Sequence, residues 1–546
     1  MGKNLSTAQY FGTYDLPDLS LGMADFALLR ARKKIYVDKT EMIFELARSE
    51  GYYFLARPRR FGKTLLVSTF ESLFKYGIRD FKDLALENLW HDTSYPVMHF
   101  DFTDCRNFRT LTEFKIKFHN MLIRATLKAG LELPDLNSPG IGSIADAFDV
   151  MLSISDCGRG FVLLVDEYDA PLNNCLHDGC LFDEVKTELF DFYDKLKKYS
   201  SRFRFMFITG ICKYKNLGIF SGTNFVTDLS LFKRYGTLLG YTKEEIEEYF
   251  RPHIQKASSL LHISYEYCLK KMQVNYDGYC FDENAATHVF TPWSVLNFLK
   301  FPERGFQNYW YDSAGQPSVL LNYIKNNSLK DPKEYGCDQL VSKNVLDSSQ
   351  SISTLEDLTL LLQAGYLTIK GSDPGGKVFR LNYPNAEVAE SMQRLYAEEL
   401  FGKDVDTAMQ ISSWELFAKS SPQEILATLN ALLLRIDYAR FPINDEASLR
   451  CDLQMYLAGG GVDVDIEKHN AFGRSDLEFA IADRYFVIEL KYARGADNVQ
   501  KLLCDATEQM LKRHYGHQGV NSGVQLIRMA FVYAQRERQF TAAKFM

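Results

Sequence analysis

A chain of 546 residues is too long to fold around one hydrophobic core, so two to four domains are expected. Hydrophobic residues make up 46% and charged residues 24%, an ordinary globular composition, and no run approaches the ~18 apolar residues of a membrane span. The net charge of -7 argues against binding nucleic acid by bulk charge alone. Ten cysteines without a C-x-x-C pair predict neither a zinc site nor disulfides, so we expect a cytoplasmic protein without a membrane partner.

The first candidate site is the stretch ARPRRFGKTLLVSTF, which begins at Ala56. Residues 52–56 predict a short buried strand, and the apolar spacing after Lys63 is helical. A strand, a loop and a helix are the context of a phosphate-binding loop, but the pattern G-x-x-x-x-G-K-[ST] has Arg57 in place of its first glycine. Pro58 restricts Arg57 to an extended conformation and can set the turn instead. The alternative interpretation is a solvated basic turn.

The loop offers the groups that phosphates require. Backbone N–H groups at a helix start point toward an anion, Lys63 adds a positive charge, and Thr64 offers a hydroxyl for Mg²⁺. We therefore expect a nucleotide to contact the loop residues Pro58, Arg59, Arg60, Phe61, Gly62, Lys63 and Thr64.

A second motif, FVLLVDEYDAP, favours the nucleotide site. Its apolar run predicts a central parallel strand that ends at Asp166 and Glu167, where α/β sheets bind ligands. Asp166 is predicted to hold Mg²⁺, and Glu167 to orient and deprotonate the attacking water. Further strands are predicted at 97–102 and 203–210, with Thr209 in the second as a sensor of the γ-phosphate.

Six segments resemble the AAA-ATPase-like proteins common in bacteria and archaea. That family carries arginine where the first glycine is missing, so the resemblance implies a P-loop ATPase core, related to the STAND and archaeal AAA branches, that uses ATP. The resemblance spans about residues 20–320 and continues to the C terminus, with Thr291 where the family has asparagine. The segments are RPRRFGKTL, YVDKT (36–40), LVDEYDAPL, FITGI, YDGY (276–279) and PWS (292–294).

The middle of the chain predicts a smaller module. Residues 355–371 predict an amphipathic helix followed by a strand, and VFRLNY predicts a second strand. A helix followed by a hairpin is typical of a winged helix, which often binds DNA. A packing module between two domains is at least as good an interpretation, because residues 355–365 contain no Lys or Arg. A helical connector is predicted from Val405 to Tyr438.

The second candidate site is the stretch FGRSDLEFAIADRYFVIELKY, which predicts a β-hairpin. Glu489 and Lys491 share one face of its second strand, and Asp476 begins the partner strand. Two carboxylates give a hard oxygen site for Mg²⁺ or Mn²⁺, and a lysine beside them can stabilise negative charge, so phosphodiester cleavage is predicted. The alternative is a surface hairpin in which Lys491 pairs with a carboxylate, although Glu489 within an apolar strand would be costly if unpaired.

The segments GRSD and VIELK resemble the PD-(D/E)xK nuclease superfamily over residues 444–546. The resemblance implies a glutamate on the preceding helix, for which Glu446 is the candidate metal ligand. It also implies a catalytic glutamine on the following helix, here Gln509. The 13 Lys and Arg and 14 Asp and Glu in this range predict no broad phosphate-binding surface.

The sequence therefore predicts an α/β protein with a P-loop NTPase parallel sheet at one end and an α/β nuclease-like domain at the other. ATP hydrolysis is expected to control a metal-dependent nuclease whose partner is nucleic acid, with DNA favoured, and defence against foreign DNA is a role by analogy. The predicted segments are an ATPase core (1–250), a helical lid (251–330), a winged-helix-like module (331–400), a helical connector (401–443) and a PD-(D/E)xK nuclease-like domain (444–546).

Two other interpretations stay open. One is a regulatory NTP switch whose nuclease fold only binds nucleic acid or a partner protein; the presence of Asp476, Glu489 and Lys491 together disfavours it. The other is a homo-oligomeric ATPase motor with an arginine that reaches the site of a neighbouring copy. Candidates for that arginine are Arg59, Arg60, Arg202 and Arg234.

Overall fold

The described residues of the computed structural model form two compact units, one ending at Val388 and one beginning at Ala389. None of the helices in these residues is long and apolar enough to span a membrane. The described residues are 16–133, 143–155, 158, 160–214, 226–314, 320, 335–347, 357–401, 416–438, 441–459, 462, 464–466, 468–495, 497–517 and 524–546.

A five-stranded parallel sheet forms the centre of the first unit, in the order β2-β3-β4-β1-β5. Every residue of β3 is buried, which explains its continuous apolar run. The predicted strands are confirmed, although β2 ends one residue early because Phe102 begins a short 3-10 helix. The strands are β1 (Tyr52–Ala56), β2 (Val97–Asp101), β3 (Phe161–Asp166), β4 (Phe203–Gly210) and β5 (Thr227–Asp228).

Helices surround this sheet, and polar residues fix several of their starts. Thr242, for example, accepts a hydrogen bond from the Glu245 backbone while the Glu245 side chain accepts one from the Thr242 backbone, which forms a capping box. The helices are α1 (Phe26–Ala31), α2 (Thr40–Arg48), α3 (Lys63–Tyr76), α4 (Leu111–Lys128), α5 (Ile144–Ile154), α6 (Ala170–Asn174), α7 (Gly179–Lys198), α8 (Lys243–Leu260), α9 (Tyr265–Tyr276), α10 (Pro292–Lys300) and α11 (Tyr309–Ala314).

The helices of the predicted lid have a hydrophobic core of their own. Residues of α8, α9 and α10 pack together there with Leu19 and Val37, which come from the start of the described chain. The N-terminal segment therefore belongs structurally with the lid. Core members include Ile246, Phe250, Ile254, Met272, Tyr276, Phe298 and Tyr309.

The middle module contains the predicted helix and both predicted strands, in a three-stranded antiparallel sheet of order β6-β8-β7. It belongs to the same compact unit as the parallel sheet. No residue of its helix α13 is exposed, which favours the packing interpretation, and the winged-helix assignment stays a prediction. The elements are β6 (Gln339–Ser342), α12 (Lys343–Asp347), α13 (Asp357–Ala364), β7 (Thr368–Ser372) and β8 (Val378–Asn382).

The second unit is built on a mixed five-stranded sheet of order β15-β14-β13-β12-β9. Strands β13 and β14 are parallel, and the other neighbouring pairs are antiparallel. The predicted hairpin is present, formed by β12 and β13. The strands are β9 (Val464–Ile466), β12 (Leu477–Ile481), β13 (Arg484–Ala493), β14 (Gln525–Ala534) and β15 (Gln539–Phe545), and a separate small hairpin joins β10 (His469–Asn470) to β11 (Gly473–Arg474).

Helix α14 (Ala386–Phe401) begins in the first unit and continues into the second, whose other helices are α15 (Pro422–Leu433), α16 (Glu446–Gly459) and α17 (Val499–Lys512). Helix α15 falls in the predicted connector, yet Ile425, Leu429 and Leu433 lie in the core of the second unit. Its described residues therefore contribute to that core. The start of the connector at Val405 lies outside the described residues, so the predicted boundaries stay predictions.

Two candidate active sites

A cavity of about 390 Å³ lies at the carboxyl edge of the parallel sheet. The loop from Arg59 to Leu65, together with Arg106 and Glu167, contributes charged and polar groups to its lining. Much of the remaining lining is apolar, as a binding site for a flat organic group requires. The apolar side chains include Met23, Ile35, Tyr36, Val37, Leu238, Leu239, Trp293 and Leu296.

The loop turns sharply into α3. Arg60 and Gly62 both have left-handed backbone conformations, with φ of 70° and 94°, and only glycine adopts such conformations without steric cost. The first N–H groups of a helix have no partner within the helix, so the start of α3 can donate into the cavity. The backbone conformation of the turn therefore favours glycine at position 62, apart from any requirement of the sequence motif.

Lys63 is buried at the centre of the loop. Its Nζ donates hydrogen bonds to the carbonyl oxygens of Arg57 and Pro58, each at 3.0 Å. Burial lowers the pKa of Lys63 to about 8. A bound phosphate would supply the counter-charge that the buried ammonium lacks.

Arg57, which replaces the first glycine, points away from the cavity. Its guanidinium donates to the carbonyl oxygens of Ala56 at 2.8 Å, Ser230 at 2.7 Å and Tyr235 at 3.2 Å. It also lies 4.2 Å from the centre of the Phe281 ring. Arg57 therefore holds the loop against the segment after β5. Its hydrogen bonds to three carbonyl oxygens fix the position at which the motif has a flexible glycine.

The middle module supports the loop from behind. Pro58 packs so closely on Gly365 that a Cβ atom added there would lie 2.6 Å from the Pro58 Cβ. Phe61 is buried against the ring of Tyr279, with ring centres 4.8 Å apart, and the Tyr279 hydroxyl donates to the Gly365 carbonyl at 2.8 Å. The side chains of Pro58 and Phe61, both predicted nucleotide contacts, are thus used in packing.

The two arginines of the loop line the cavity. Burial lowers the pKa of Arg59, and the charge of Asp169 opposes that shift. The Arg60 guanidinium lies 4.2 Å from the centre of the Trp293 ring. Trp293 belongs to the PWS segment, so this contact brings the lid helix α10 to the phosphate loop. Trp293 was not among the site residues predicted from the sequence.

Asp166 ends β3 and is buried beside Thr64. Burial raises the pKa of Asp166, and a hydrogen bond with Thr64 and the charge of Lys63 oppose the rise. Asp101 pairs with Asp166 across β2 and β3. The structure therefore brings together the hydroxyl and carboxylate that were predicted to hold Mg²⁺.

Glu167 follows in a strained conformation, with φ of 48°, and its half-buried carboxylate pairs with Arg106. Left-handed backbone at a non-glycine residue costs about 1 kcal/mol or more and is concentrated at functional sites. Sequence reasoning missed Arg106, although it follows the predicted strand at 97–102 and therefore had to lie near the same sheet edge.

Thr209 and Asp169 both form hydrogen bonds that join neighbouring segments of the fold. The buried Thr209 hydroxyl donates to the Leu55 carbonyl at 2.9 Å, which joins β4 to β1, and Thr209 does not line the cavity. The Asp169 carboxylate accepts hydrogen bonds from the backbone of Ile211 and Cys212 and from the Asn173 side chain. Asp169 thus holds the segment after β4 in place.

Arg202 and Arg234, the other two candidates for an arginine that reaches a neighbouring copy, do not line this cavity. Arg202, just before β4, donates to the carbonyl oxygens of Leu152 and Ser155. Because β4 is parallel to β1, this start of the strand is at the edge opposite the cavity. Arg234 pairs with Glu45. Neither contact supports a role at the site of the same chain.

The second site begins where β12 starts. Leu477 pairs with Ile488, so the preceding residue Asp476 lies opposite Glu489. Asp476 Oδ2 accepts a hydrogen bond from the Leu490 backbone at 2.7 Å, and Oδ1 lies 3.4 Å from the guanidinium of Arg450. The backbone contact fixes the carboxylate beside β13 as predicted.

Glu489 is 1% exposed, and among the described residues its Oε2 has no hydrogen-bond partner. Its Oε1 lies 3.2 Å from Lys491 Nζ. Burial, and then the charge of Asp476, raises the pKa of Glu489. A buried carboxylate oxygen without a donor is chemically suited to a cation.

Lys491 lies between two carboxylates, since its Nζ is also 3.6 Å from Glu446 at the start of α16. The fold thus gathers Asp476, Glu489, Lys491 and Glu446, which are up to 45 residues apart in sequence. Within the described residues, no three side chains of His, Cys, Asp or Glu are arranged to hold a metal. A cation here would therefore need oxygen ligands besides these side chains.

Gln509 lies on α17, and its Nε2 donates to the hydroxyl of Tyr515 at 3.3 Å. Tyr515 also accepts a hydrogen bond from Arg513 at 3.2 Å. The described contacts place Gln509 in this group and show none with the carboxylates. Its catalytic role stays a prediction.

The raised pKa of Glu489 predicts how stability depends on pH. An acid whose pKa is higher in the folded than in the unfolded chain destabilises the fold as the pH rises between the two values. We expect Glu489→Gln to raise the unfolding temperature of the metal-free protein at alkaline pH and to change it little below the ordinary pKa of glutamate. Scanning calorimetry at both pH values checks this.

Asp483→Asn is the matched control, because Asp483 is an exposed acid in the turn of the same hairpin. It should leave the unfolding temperature nearly unchanged at both pH values. A Glu489→Gln protein that is less stable than the parent at alkaline pH would show that attraction to Lys491 outweighs desolvation, as the surface-hairpin alternative requires.

The comparisons with known proteins match the two parts of the chain in which these sites lie. Residues 20–220 match a family model described as "Predicted AAA-ATPase", and residues 444–542 match the model of the PD-(D/E)XK nuclease superfamily. An uncharacterized protein in the vnfD 5' region of Azotobacter chroococcum mcd 1 is 26% identical over 486 residues, covering 87% of this chain and 89% of the relative. No solved structure matches the chain. Both predicted resemblances are confirmed.

Proposed function

We propose that this chain, which carries an AAA-ATPase-like domain and a PD-(D/E)XK nuclease-superfamily domain, hydrolyses ATP to control divalent-metal-dependent cleavage of nucleic acid. The observation that carries the proposal is the grouping of Asp476, Glu489 and Lys491 around the buried, unpartnered oxygen of Glu489. A hairpin made only for stability gains nothing from a buried carboxylate oxygen without a donor.

In the ATPase-like domain, the base and sugar of ATP would lie against the apolar side chains that line the cavity. The start of α3 and Lys63 would hold the phosphates, with Arg59 and Arg60 beside them. Thr64 and Asp166 offer oxygen atoms to Mg²⁺, which would neutralise charge on the phosphates when bound. Glu167 would accept a proton from the attacking water.

For Glu167 to act as a base, its carboxylate must leave Arg106, since Arg106 lies against one of the two oxygens that would accept the proton. Arg106 lines the same cavity and can turn to the phosphates, which would release Glu167 when ATP is bound. The described arrangement is thus a resting state, and Arg106 is a positioning residue.

In the nuclease-like domain, Asp476 and Glu489 would supply carboxylate oxygens to Mg²⁺ or Mn²⁺, with Glu446 or water as further ligands, and the cation would stabilise charge on the scissile phosphate. Lys491 keeps its charge, because neighbouring carboxylates raise its pKa more than burial lowers it. Its ammonium can therefore stabilise negative charge on the phosphate or orient water.

The test is a cleavage assay on the full chain. Single- and double-stranded DNA and RNA are incubated with the protein while ATP and Mg²⁺ or Mn²⁺ are varied separately. We expect cleavage that requires a divalent cation and changes when ATP is added. If the protein binds nucleic acid but cuts none of these substrates, the regulatory NTP switch takes the place of the nuclease.

Glu167→Gln separates ATP binding from turnover. The amide keeps the shape of the side chain but cannot accept the proton, so we expect ATP to bind with near-parent affinity and to be hydrolysed at least about a hundredfold more slowly. Titration calorimetry measures the binding, and phosphate release measures the turnover.

Glu184→Gln is the matched control, because Glu184 is an exposed residue of α7 in the same unit. It should hydrolyse ATP at the parent rate. Unchanged turnover by Glu167→Gln would remove Glu167 from the mechanism, and Asp169 would then be the next carboxylate to test.

A further inference from the structure

Helix α14 passes from the first compact unit into the second. The boundary between the units falls after Val388, in the first turn of the helix. Further along the same helix, Ala397 and Leu400 are buried in the hydrophobic core of the second unit. That core also contains the residues next to Asp476 and Glu489 in the chain. A change at the start of α14 can therefore be carried by a continuous helix into the core on which the candidate nuclease site is built.

Glu387, in the first turn of α14, attaches this helix to the lid. The Ser294 hydroxyl of α10 donates a hydrogen bond to Glu387 Oε2 at 2.8 Å, and the Trp310 backbone N–H of α11 donates to Oε1 at 2.8 Å. The Asn308 side chain donates to the Glu387 carbonyl at 2.9 Å. Glu387 is 2% exposed and Ser294 is 0% exposed, so water has little access to these bonds. Each carboxylate oxygen therefore ties α14 to a different helix.

The residues directly before Glu387 are attached to the lid as well. The Asn385 side chain donates to the carbonyl of Asp277, the residue after α9, at 2.8 Å. The Pro384 carbonyl lies so close to Gly278 that no Cβ atom would fit there. The start of α14 is thus built into the first unit and is not a loose linker.

Helix α10, which holds Glu387, also lines the nucleotide cavity. Trp293 is part of the cavity wall, and the Arg60 guanidinium of the phosphate loop lies 4.2 Å from the centre of its ring. Ser294 is the next residue, and successive residues of an α-helix point about 100° apart. One side of α10 therefore meets the cavity while another side holds Glu387. A nucleotide that changes the position of Arg60 or fills the cavity would act directly on the helix that holds α14.

A second set of contacts leads from the phosphate loop to the same carboxylate. Gly365, on which Pro58 packs, also lies against Trp310, since a Cβ atom added to Gly365 would be 3.7 Å from that ring. The Trp310 ring meets the ring of Tyr366 edge to face, with centres 4.8 Å apart. The backbone of Trp310 is the donor to Glu387 Oε1. Contacts from the lid and from the middle module therefore converge on Glu387.

We propose that Glu387 is the positioning residue through which nucleotide in the cavity regulates the candidate nuclease site. Nucleotide changes the contact between Arg60 and Trp293, α10 shifts, and the bond from Ser294 to Glu387 transfers the shift to α14. A packed core has discrete arrangements, so a small shift of one of its helices favours one arrangement over another. This inference rests on the proposed function and adds the residue that carries the control by ATP.

The test compares cleavage with and without ATP by the full chain. Ser294→Ala removes one donor to Glu387, and Glu387→Ala removes both acceptors. Both variants should hydrolyse ATP at the parent rate and cut as the parent does without ATP, because neither residue lines the cavity or belongs to the carboxylate group. The change in cleavage rate that ATP causes should be lost. A purely structural role would lower the unfolding temperature and leave this response in place.

Ser258→Ala is the matched control. Ser258 is a serine of the lid helix α8 that is 6% exposed, and its hydroxyl donates to the Gln255 carbonyl of the same helix at 2.9 Å. This variant should keep the full response to ATP. The double variant Ser294→Ala/Glu387→Ala should lose no more of the response than Glu387→Ala alone, because the two residues act through one bond.

Hydrogen exchange gives a measurement that does not depend on cleavage. With Mg²⁺ and a non-hydrolysable ATP analogue, the backbone amides of α14 should exchange more slowly in the parent, since the helix that holds α14 is then fixed by the filled cavity. Ser294→Ala should bind the analogue with parent affinity but show no such slowing. Slowing of the same size in Ser294→Ala would contradict the role of Glu387.

The outcomes separate this inference from the function on which it rests. If ATP changes cleavage by the parent and changes it equally in Ser294→Ala and Glu387→Ala, Glu387 does not carry the control and the proposed function stands. An equal loss of response in Ser258→Ala would also overturn the inference, because it would reflect a general loosening of the lid. If the parent cuts nothing, or cuts equally with and without ATP, the proposed function itself fails, and hydrogen exchange still decides whether nucleotide acts on α14.

Discussion

Asp476→Asn is expected to lower divalent-dependent cleavage about a thousandfold or more while leaving ATP hydrolysis unchanged. The carboxylate of Asp476 lies opposite Glu489, and its loss removes one charged ligand from a cation that stabilises the transition state by several kcal/mol. The measurement is the initial rate of cleavage of the best substrate, with phosphate release from ATP followed in parallel.

Asp483→Asn is the control for this experiment, because it makes the same chemical change in an exposed turn of the same hairpin. It should cut at the parent rate. Lys491→Gln should also lose cleavage, but it should retain cation binding because lysine is not a ligand. Asp476→Asn cleavage at the parent rate would mean that this cluster is not the nuclease site.

Lys63→Ala is expected to remove most of the affinity for ATP, by about a hundredfold or more. The bound phosphates lose their nearest fixed cation, and a buried charge–charge contact contributes several kcal/mol. Titration calorimetry with ATP and Mg²⁺ measures the loss. Unlike Glu167→Gln, this variant should fail at the binding step, so turnover falls with affinity.

Lys75→Ala is the matched control, since Lys75 lies near the other end of α3 and its described ion pair is with Glu71 in the same helix. It should bind ATP as the parent does. Because Lys63 also donates to the carbonyls of Arg57 and Pro58, the unfolding temperature of Lys63→Ala must be measured as well. A folded Lys63→Ala protein with near-parent affinity would leave the cavity without a role in ATP binding.

Local patterns predicted the strands and the motif residues well. The run ending at Asp166 is apolar because β3 is covered on both faces, and the nearly continuous burial of β13 explains the apolar stretch around Glu489. Such runs are visible in the sequence itself. The grouping of Asp476 with Glu489 followed from hairpin register alone.

Partners that come from distant parts of the chain were not predictable in this way. Arg106 meets Glu167, and Trp293 meets Arg60, only because the sheet and the lid are folded together. Thr209 has the expected position in β4, but hydrogen bonding to Leu55 decides where its hydroxyl points. Side-chain direction at a buried position depends on neighbouring strands that the local sequence does not identify.

The packing of Pro58 on Gly365 has a thermodynamic consequence. The Pro58 side chain of the phosphate loop lies directly on the backbone of Gly365 in the middle module, so a nucleotide that favours one position of the loop also favours one position of the module. Linkage is reciprocal. A molecule that binds the module and prefers one of those positions changes the affinity for ATP by some factor, and ATP changes the affinity for that molecule by the same factor. The module is therefore a place from which the affinity for nucleotide can be set without contact with the nucleotide.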